Sequence, residues 1–274
     1  MIQIQHTMKK FVFSVAAILF GLASFSLDAQ TNIQLHYDFG RSLYHKVGGK
    51  DLSKTGANRQ YLTTTVEHFN TDRFGSNFFF IDLDFVNDPT GAGKWAGVRG
   101  AYTEISRELC FWGDTKLAGL SAHIEYNGGL DRYSGTYDSA YLVGPTYSIH
   151  NSDYTFTASL SALYKAIPKN LKSAHNFQIT TVWNYHFCND MFLLSGFADI
   201  WKENRAWQLG AKGDKEGDGT DFIFISEPQF WFNLHALKGL ENFNASIGGE
   251  VELSNNFLGV GFYACPTIAV KYTF

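Results

Sequence analysis

From Asn77 to Val86 the chain reads NFFFIDLDFV. Phe79, Ile81, Leu83 and Phe85 fall on one side of an extended chain, and Phe78, Phe80, Asp82 and Asp84 on the other. That two-residue period is the mark of a strand with two unlike faces. LSAHIEYN repeats it, setting Leu120, Ala122, Ile124 and Tyr126 against Ser121, His123, Glu125 and Asn127. TFTASLSALY sets Phe156, Ala158, Leu160, Ala162 and Tyr164 against Thr155, Thr157, Ser159 and Ser161. NFQITTVWNYHF and NFNASIGGEVEL follow the same rule. Less regular segments begin near Asn32, Gln60, Arg99, Ser139, Met191, Thr220 and Leu258, which brings the total to twelve.

The connections sharpen this pattern. TDRFGSN, WGDT, NSD, CND and HALKGL read as short turns. The spans between them, near Arg41–Arg59, Asn87–Val98, Gly128–Asp138, Ala166–Ser173, Lys202–Gly219 and Ser254–Phe257, read mostly as longer loops rich in glycine and charge. Short turns alternating with long loops, and an even strand count, predict an all-β fold: a twelve-stranded antiparallel transmembrane β-barrel of the outer membrane. Composition agrees, with 25 Phe, 14 Tyr and 26 Gly against 5 Pro in 274 residues. After Ala29 no stretch approaches the roughly 18 consecutive apolar residues of a spanning helix.

The start has another character. Lys9 and Lys10 precede an apolar run from Phe11 to Phe20 and then small residues up to Ala29. Residues 1–29 therefore read as a cleaved signal peptide, with 30–274 as a single barrel domain. Either Met1 or Met8 could be the start. Loss of Lys9, Lys10 and Asp28 takes the formal charge from −4 to −5, which speaks against nucleic acid as a partner. Cys110, Cys188 and Cys265 have no spacing that demands a disulfide or a metal, and neither a metal nor a cofactor is expected.

If the apolar faces meet lipid, the others line the lumen. The alternation assigns Asp82, Asp84, Glu104, Glu125, Asp199, Glu227 and Glu250 to it, together with Asp38, Glu108 and Glu252. Lys271 is its chief cation, and His36, His123 and His186 are titratable candidates. Interleaved rings are Phe78, Phe80, Tyr102, Phe197, Trp201, Trp231 and Tyr263. A lumen of one sign turns away ions of that sign, so it suits neutral or cationic solutes, while aromatic rings can stack flat ones. A cation between Asp82 and Asp84 is conceivable, but pairing of these acids with a lumen Lys or Arg is the expected arrangement.

TTTVEHFNTDRFGSNFFFIDLDFVND, GAYTEISRELCF and MFLLSGFADIWKEN resemble segments of the Tsx-type nucleoside-specific channels of outer membranes. The chain is also similar to barrel families of Bacteroidetes-type outer membranes. The first resemblance implies a monomeric twelve-stranded channel that passes nucleosides. It would place an aromatic-plus-arginine nucleoside contact on Phe39 and Arg41, although the alternation turns Phe39 toward lipid. Two other classes stay open: a structural or adhesion barrel without an open pore, and an outer-membrane hydrolase. The second lacks an outward Ser–His pair, since Ser226 faces out at mid-strand with no outward His beside it. The closing stretch CPTIAVKYTF ends on Phe274, as expected of a last strand read by the barrel-insertion machinery of a Gram-negative outer membrane.

Overall fold

The computed structural model describes residues 29–39, 62–87, 96–132, 135–136, 139–168, 174–204, 220–257 and 261–274. The predicted signal peptide, apart from Ala29, and much of the predicted long loops lie outside the described residues.

The strands are β1 (Ala29–Asp38), β2 (Leu62–Asp72), β3 (Gly75–Asn87), β4 (Ala96–Leu109), β5 (Leu120–Asp131), β6 (Gly135–Thr136), β7 (Ala140–His150), β8 (Phe156–Ala166), β9 (His175–Phe187), β10 (Phe192–Asn204), β11 (Thr220–Ser226), β12 (Gln229–Asn233), β13 (Ala245–Asn255) and β14 (Phe262–Thr273). Each barrel strand pairs antiparallel with its sequence neighbours, and β14 pairs with β1, from Asn32↔Thr273 to Asp38↔Thr267, so the sheet closes on itself. β6 is a two-residue addition to the end of β5.

β11 and β12 occupy one position in the wall, between β10 and β13. The break between them falls at Pro228, which has no N–H for the ladder. The register does not slip across it: Ser226 pairs with Ala198 and Leu253 before the break, and Gln229 with Ser195 and Glu250 after it. With β6 off the wall and β11–β12 counted as one, the barrel has twelve strands.

The turns have local causes. At Arg73–Phe74 the Asp72 carboxylate accepts from the Phe74 N–H at 2.7 Å. Gly75 has φ +140°, and a Cβ there would lie 2.0 Å from the Glu108 carbonyl oxygen, so glycine is required. In the turn after β9, Cys188, Asn189 and Asp190 all adopt positive φ, at 54°, 55° and 60°. Asn and Asp tolerate that region better than other side chains. The short-turn, long-loop pattern has two exceptions. The connection from β4 to β5 spans 110–119, with the Trp112 indole donating to the Leu120 carbonyl at 2.6 Å, whereas the nominally long connection between β13 and β14 spans only 256–261.

Surface polarity is inverted relative to a water-soluble domain. Ile33, Leu35, Ile124, Val143, Leu160, Ile179, Ile247, Ile268 and Val270 are exposed on the outer face. Apolar exposure on that scale requires lipid rather than water. Rings gather on the outside near the short-turn end: Phe187 stacks on Phe192 at 5.4 Å, and Phe192 on Phe230 at 5.5 Å. They match the aromatic girdle of a membrane interface. Most buried side chains are inside, and they include apolar ones. Ala140, Leu142, Leu163 and Ile167 form one dry cluster; Trp201, Ile223 and Ile225, with Phe197 and Phe257 against them, form another.

Candidate functional site

The pairing registers put the predicted lumen residues on the inner face, except Glu227, which falls in the break between β11 and β12, and they form three groups. Along β3–β5, Phe78 lies 6.1 Å from Phe80, and Phe80 lies 6.0 Å from Tyr102. The Tyr102 hydroxyl donates to Glu104 at 2.6 Å. Glu104 is opposite both Phe80 and Asn127. His123 sits between two carboxylates, with Nδ1 2.6 Å from Glu108 and Nε2 3.0 Å from Glu125. Ser121 donates to the same Glu108. Asp82 and Asp84 accept from Thr65 at 2.5 Å and Thr63 at 2.8 Å on the neighbouring strand. Cross-strand hydroxyls thus serve both of these acids. Among the described residues no group of His, Cys, Asp and Glu is arranged to hold a metal ion.

Toward the long-loop end, Lys165 donates to the Gln178 side-chain oxygen at 2.8 Å, and its ammonium lies 3.9 Å from the centre of the Trp201 ring. The Trp201 indole donates to Glu203 at 2.7 Å. The charges of Glu203, Asp199, Glu104 and Glu125 also favour this ammonium. Toward the short-turn end, Lys271 lies 4.1 Å over the Trp231 ring. The Trp231 indole donates to Gln229 at 3.0 Å, and Gln229 donates to Glu250 at 3.1 Å. His36 stands edge-on to Trp231, within 3.0 Å of the Thr267 hydroxyl and 2.8 Å of the Gln34 side-chain oxygen. Glu227 lies beside Pro228 in the break, and Tyr263 is buried on β14. Below them, His186 and His235 both engage Asp190, at 2.5 and 2.9 Å.

Water reaches this interior unevenly. The side chains of Glu108, Glu250 and Glu125 keep 24%, 21% and 12% of their exposure, whereas Trp231 and Ile223 are at 0% and Leu142 and Leu163 at 1%. The lumen therefore has wetted acidic walls beside dry apolar padding, a narrow arrangement rather than a wide aqueous pore.

Some functional residues were not legible from alternation. Lys165 falls just past TFTASLSALY, although continuing the period through Leu163, Lys165 and Ile167 would have found it. Glu67 and Glu203 went the same way. The dry pad was hidden because DFIFIS is apolar on both faces: Phe222 and Phe224 point out while Ile223 and Ile225 point in. Phe39 lies at the exposed outer edge, 5.0 Å from the outward Tyr37, so it is no lumen contact; Arg41 lies outside the described residues.

A family model described as a domain of unknown function, DUF5020, matches residues 29–274. The chain belongs to the DUF5020 family. No curated protein sequence matches this DUF5020 chain. Among solved structures, LpxR from Salmonella typhimurium is 11% identical with a TM-score of 0.43, covering 89% of this chain and 100% of its own. OprB from Pseudomonas putida is 14% identical with a TM-score of 0.35, covering 78% and 59%. A triple mutant of the Rhodopseudomonas blastica porin is 11% identical with a TM-score of 0.32, covering 90% and 98%. At these values the likenesses carry no functional argument.

Proposed function

We propose that this DUF5020 barrel is a narrow channel of a Gram-negative outer membrane for passive diffusion of small neutral or cationic polar solutes, nucleosides foremost. One observation carries the reading. A half-buried aromatic strip, Phe78–Phe80–Tyr102, runs beside Glu104 in a lumen where Glu108, Glu125 and Glu250 stay in contact with water. Fixed negative charge between low-dielectric walls concentrates cations and repels anions. Aromatic rings on such a wall favour a flat solute by stacking, at about 1–3 kcal/mol per base in single-strand binding sites. The ribose hydroxyls of a nucleoside would meet acceptors on the same wall. The Tsx-type resemblance points the same way.

The dry clusters favour a second reading, a structural barrel without an open pore, because Leu142, Leu163, Ile223 and Ile225 occupy space that a general porin leaves to water. In the channel reading this padding makes the path selective. Purified protein in planar bilayers separates the two. A steady current lowered by nucleosides but not by sugars supports the nucleoside channel; no current at all leaves the structural barrel. Phe274, whose N–H donates to the Thr31 carbonyl at 2.9 Å at the seam where the barrel closes, is proposed as the residue read during insertion.

A further inference from the structure

Among the described residues the inner face holds two lysines, and both are parked on tryptophans at opposite ends of the acidic section. Lys165 covers Trp201 at 3.9 Å and Lys271 covers Trp231 at 4.1 Å. In each pair the ring is the fixed member. Trp201 is pinned by its bond to Glu203 and packed against Ile223 and Ile225; Trp231 is wholly buried and pinned by Gln229. The lysine is the movable member, a charge on a four-carbon stem with several rotatable bonds. A displaced Lys165 also has somewhere to go. Asp199 acts on its charge and has an Oδ1 without a hydrogen-bond partner among the described residues. Lys271 likewise feels Glu67 and Asp190.

We propose that Lys165 and Lys271 are the specificity-determining gates of the passage: each ammonium covers a tryptophan face and is displaced sideways when a flat solute stacks on that face. This rests on the channel reading above. Covered, the ring offers nothing to a hydrated ion, and the ammonium opposes part of the acidic field. Uncovered, the ring receives a π-face while the displaced ammonium neutralises a neighbouring carboxylate. Sugars have only C–H faces to lay on the ring and make that exchange less favourably than a flat π-system. The two gates would explain how an acidic lumen passes flat neutral solutes without leaking small cations freely.

The test is single-channel recording in a KCl gradient with wild-type protein, Lys165→Met, Lys271→Met, the double variant, and Lys165→Arg and Lys271→Arg. Lys165→Gln, which keeps a donor for Gln178, replaces the methionine variant if that one does not fold. Removing one ammonium is expected to raise the K⁺ over Cl⁻ permeability ratio about threefold, further in the double variant, and to raise conductance. The arginine variants keep charge and ring contact and should stay near the wild-type ratio. Wild-type current with an unchanged ratio and conductance in the methionine or glutamine variants overturns the gates and leaves the channel standing. No current from wild type or double variant removes the channel reading and the gates with it.

Discussion

Leu160→Arg is the sharpest perturbation of the assigned outer face. Leu160 lies near the middle of β8, between Tyr147 and Thr181 in the neighbouring strands, and is 58% exposed. Its chain neighbour Ser161 is 4% exposed and bonded to Thr146 at 2.7 Å inside the barrel. Because Leu160 packs against lipid rather than protein, its loss opens no cavity. The cost is therefore the charge itself, about 2–4 kcal/mol for arginine at the bilayer midplane. That equals a loss of about 30- to 700-fold in the folded-to-unfolded ratio. Ala166→Arg, on the same outward face at the end of β8, should cost only about 0–1 kcal/mol, because the penalty fades near the interface. Urea titration of the protein refolded into bilayers measures both. The reasoning fails if Leu160→Arg costs under about 1 kcal/mol, or if Ala166→Arg costs as much, since the outer face would then not be graded by membrane depth.

Other outcomes follow from the same geometry. Gly248→Ala would push a Cβ to 2.0 Å from the Phe230 carbonyl oxygen and should destabilise the β12–β13 pairing by about 1–3 kcal/mol in the same titration. Asp190→Ala removes the acceptor shared by His186 and His235 and puts alanine at φ 60°, so a loss of about 1–3 kcal/mol is expected, with Asp190→Asn milder. In the turn after β7, hydrogen bonds from Thr155 hold the Asp153 carboxyl below its usual value. The lowered value means that this support is present above pH 3.8 and fades as pH falls through the lower folded value. Amide exchange at Thr155, corrected for its intrinsic rate, should therefore lose protection below pH 3.8. Deleting Phe274 should reduce barrel assembly in cells; normal assembly without it would remove its proposed role in insertion.

Much of the barrel was legible because lipid and lumen impose opposite demands on alternate residues. In NFFFIDLDFV or LSAHIEYN every second position is decided by that contrast, and the registers follow it. The pattern blurs where both environments are apolar. Ile223 and Ile225 are dry packing inside the barrel and Phe222 and Phe224 face lipid, so the alternation that marks other strands is absent from DFIFIS. Pairings are harder still. The placement of His123 between Glu108 and Glu125, and of Lys165 over Trp201, depends on how β4, β5, β8 and β10 meet, and no local pattern encodes that. Pro228 is plain in the sequence, yet only the register shows that the strand resumes beyond it without a slip.

The sign of ion selectivity tests the central claim most directly. For wild-type protein in a planar bilayer under a KCl gradient, the acidic inner face predicts discrete current steps with a zero-current potential on the potassium side. A silent bilayer, or a zero-current potential on the chloride side, would contradict it.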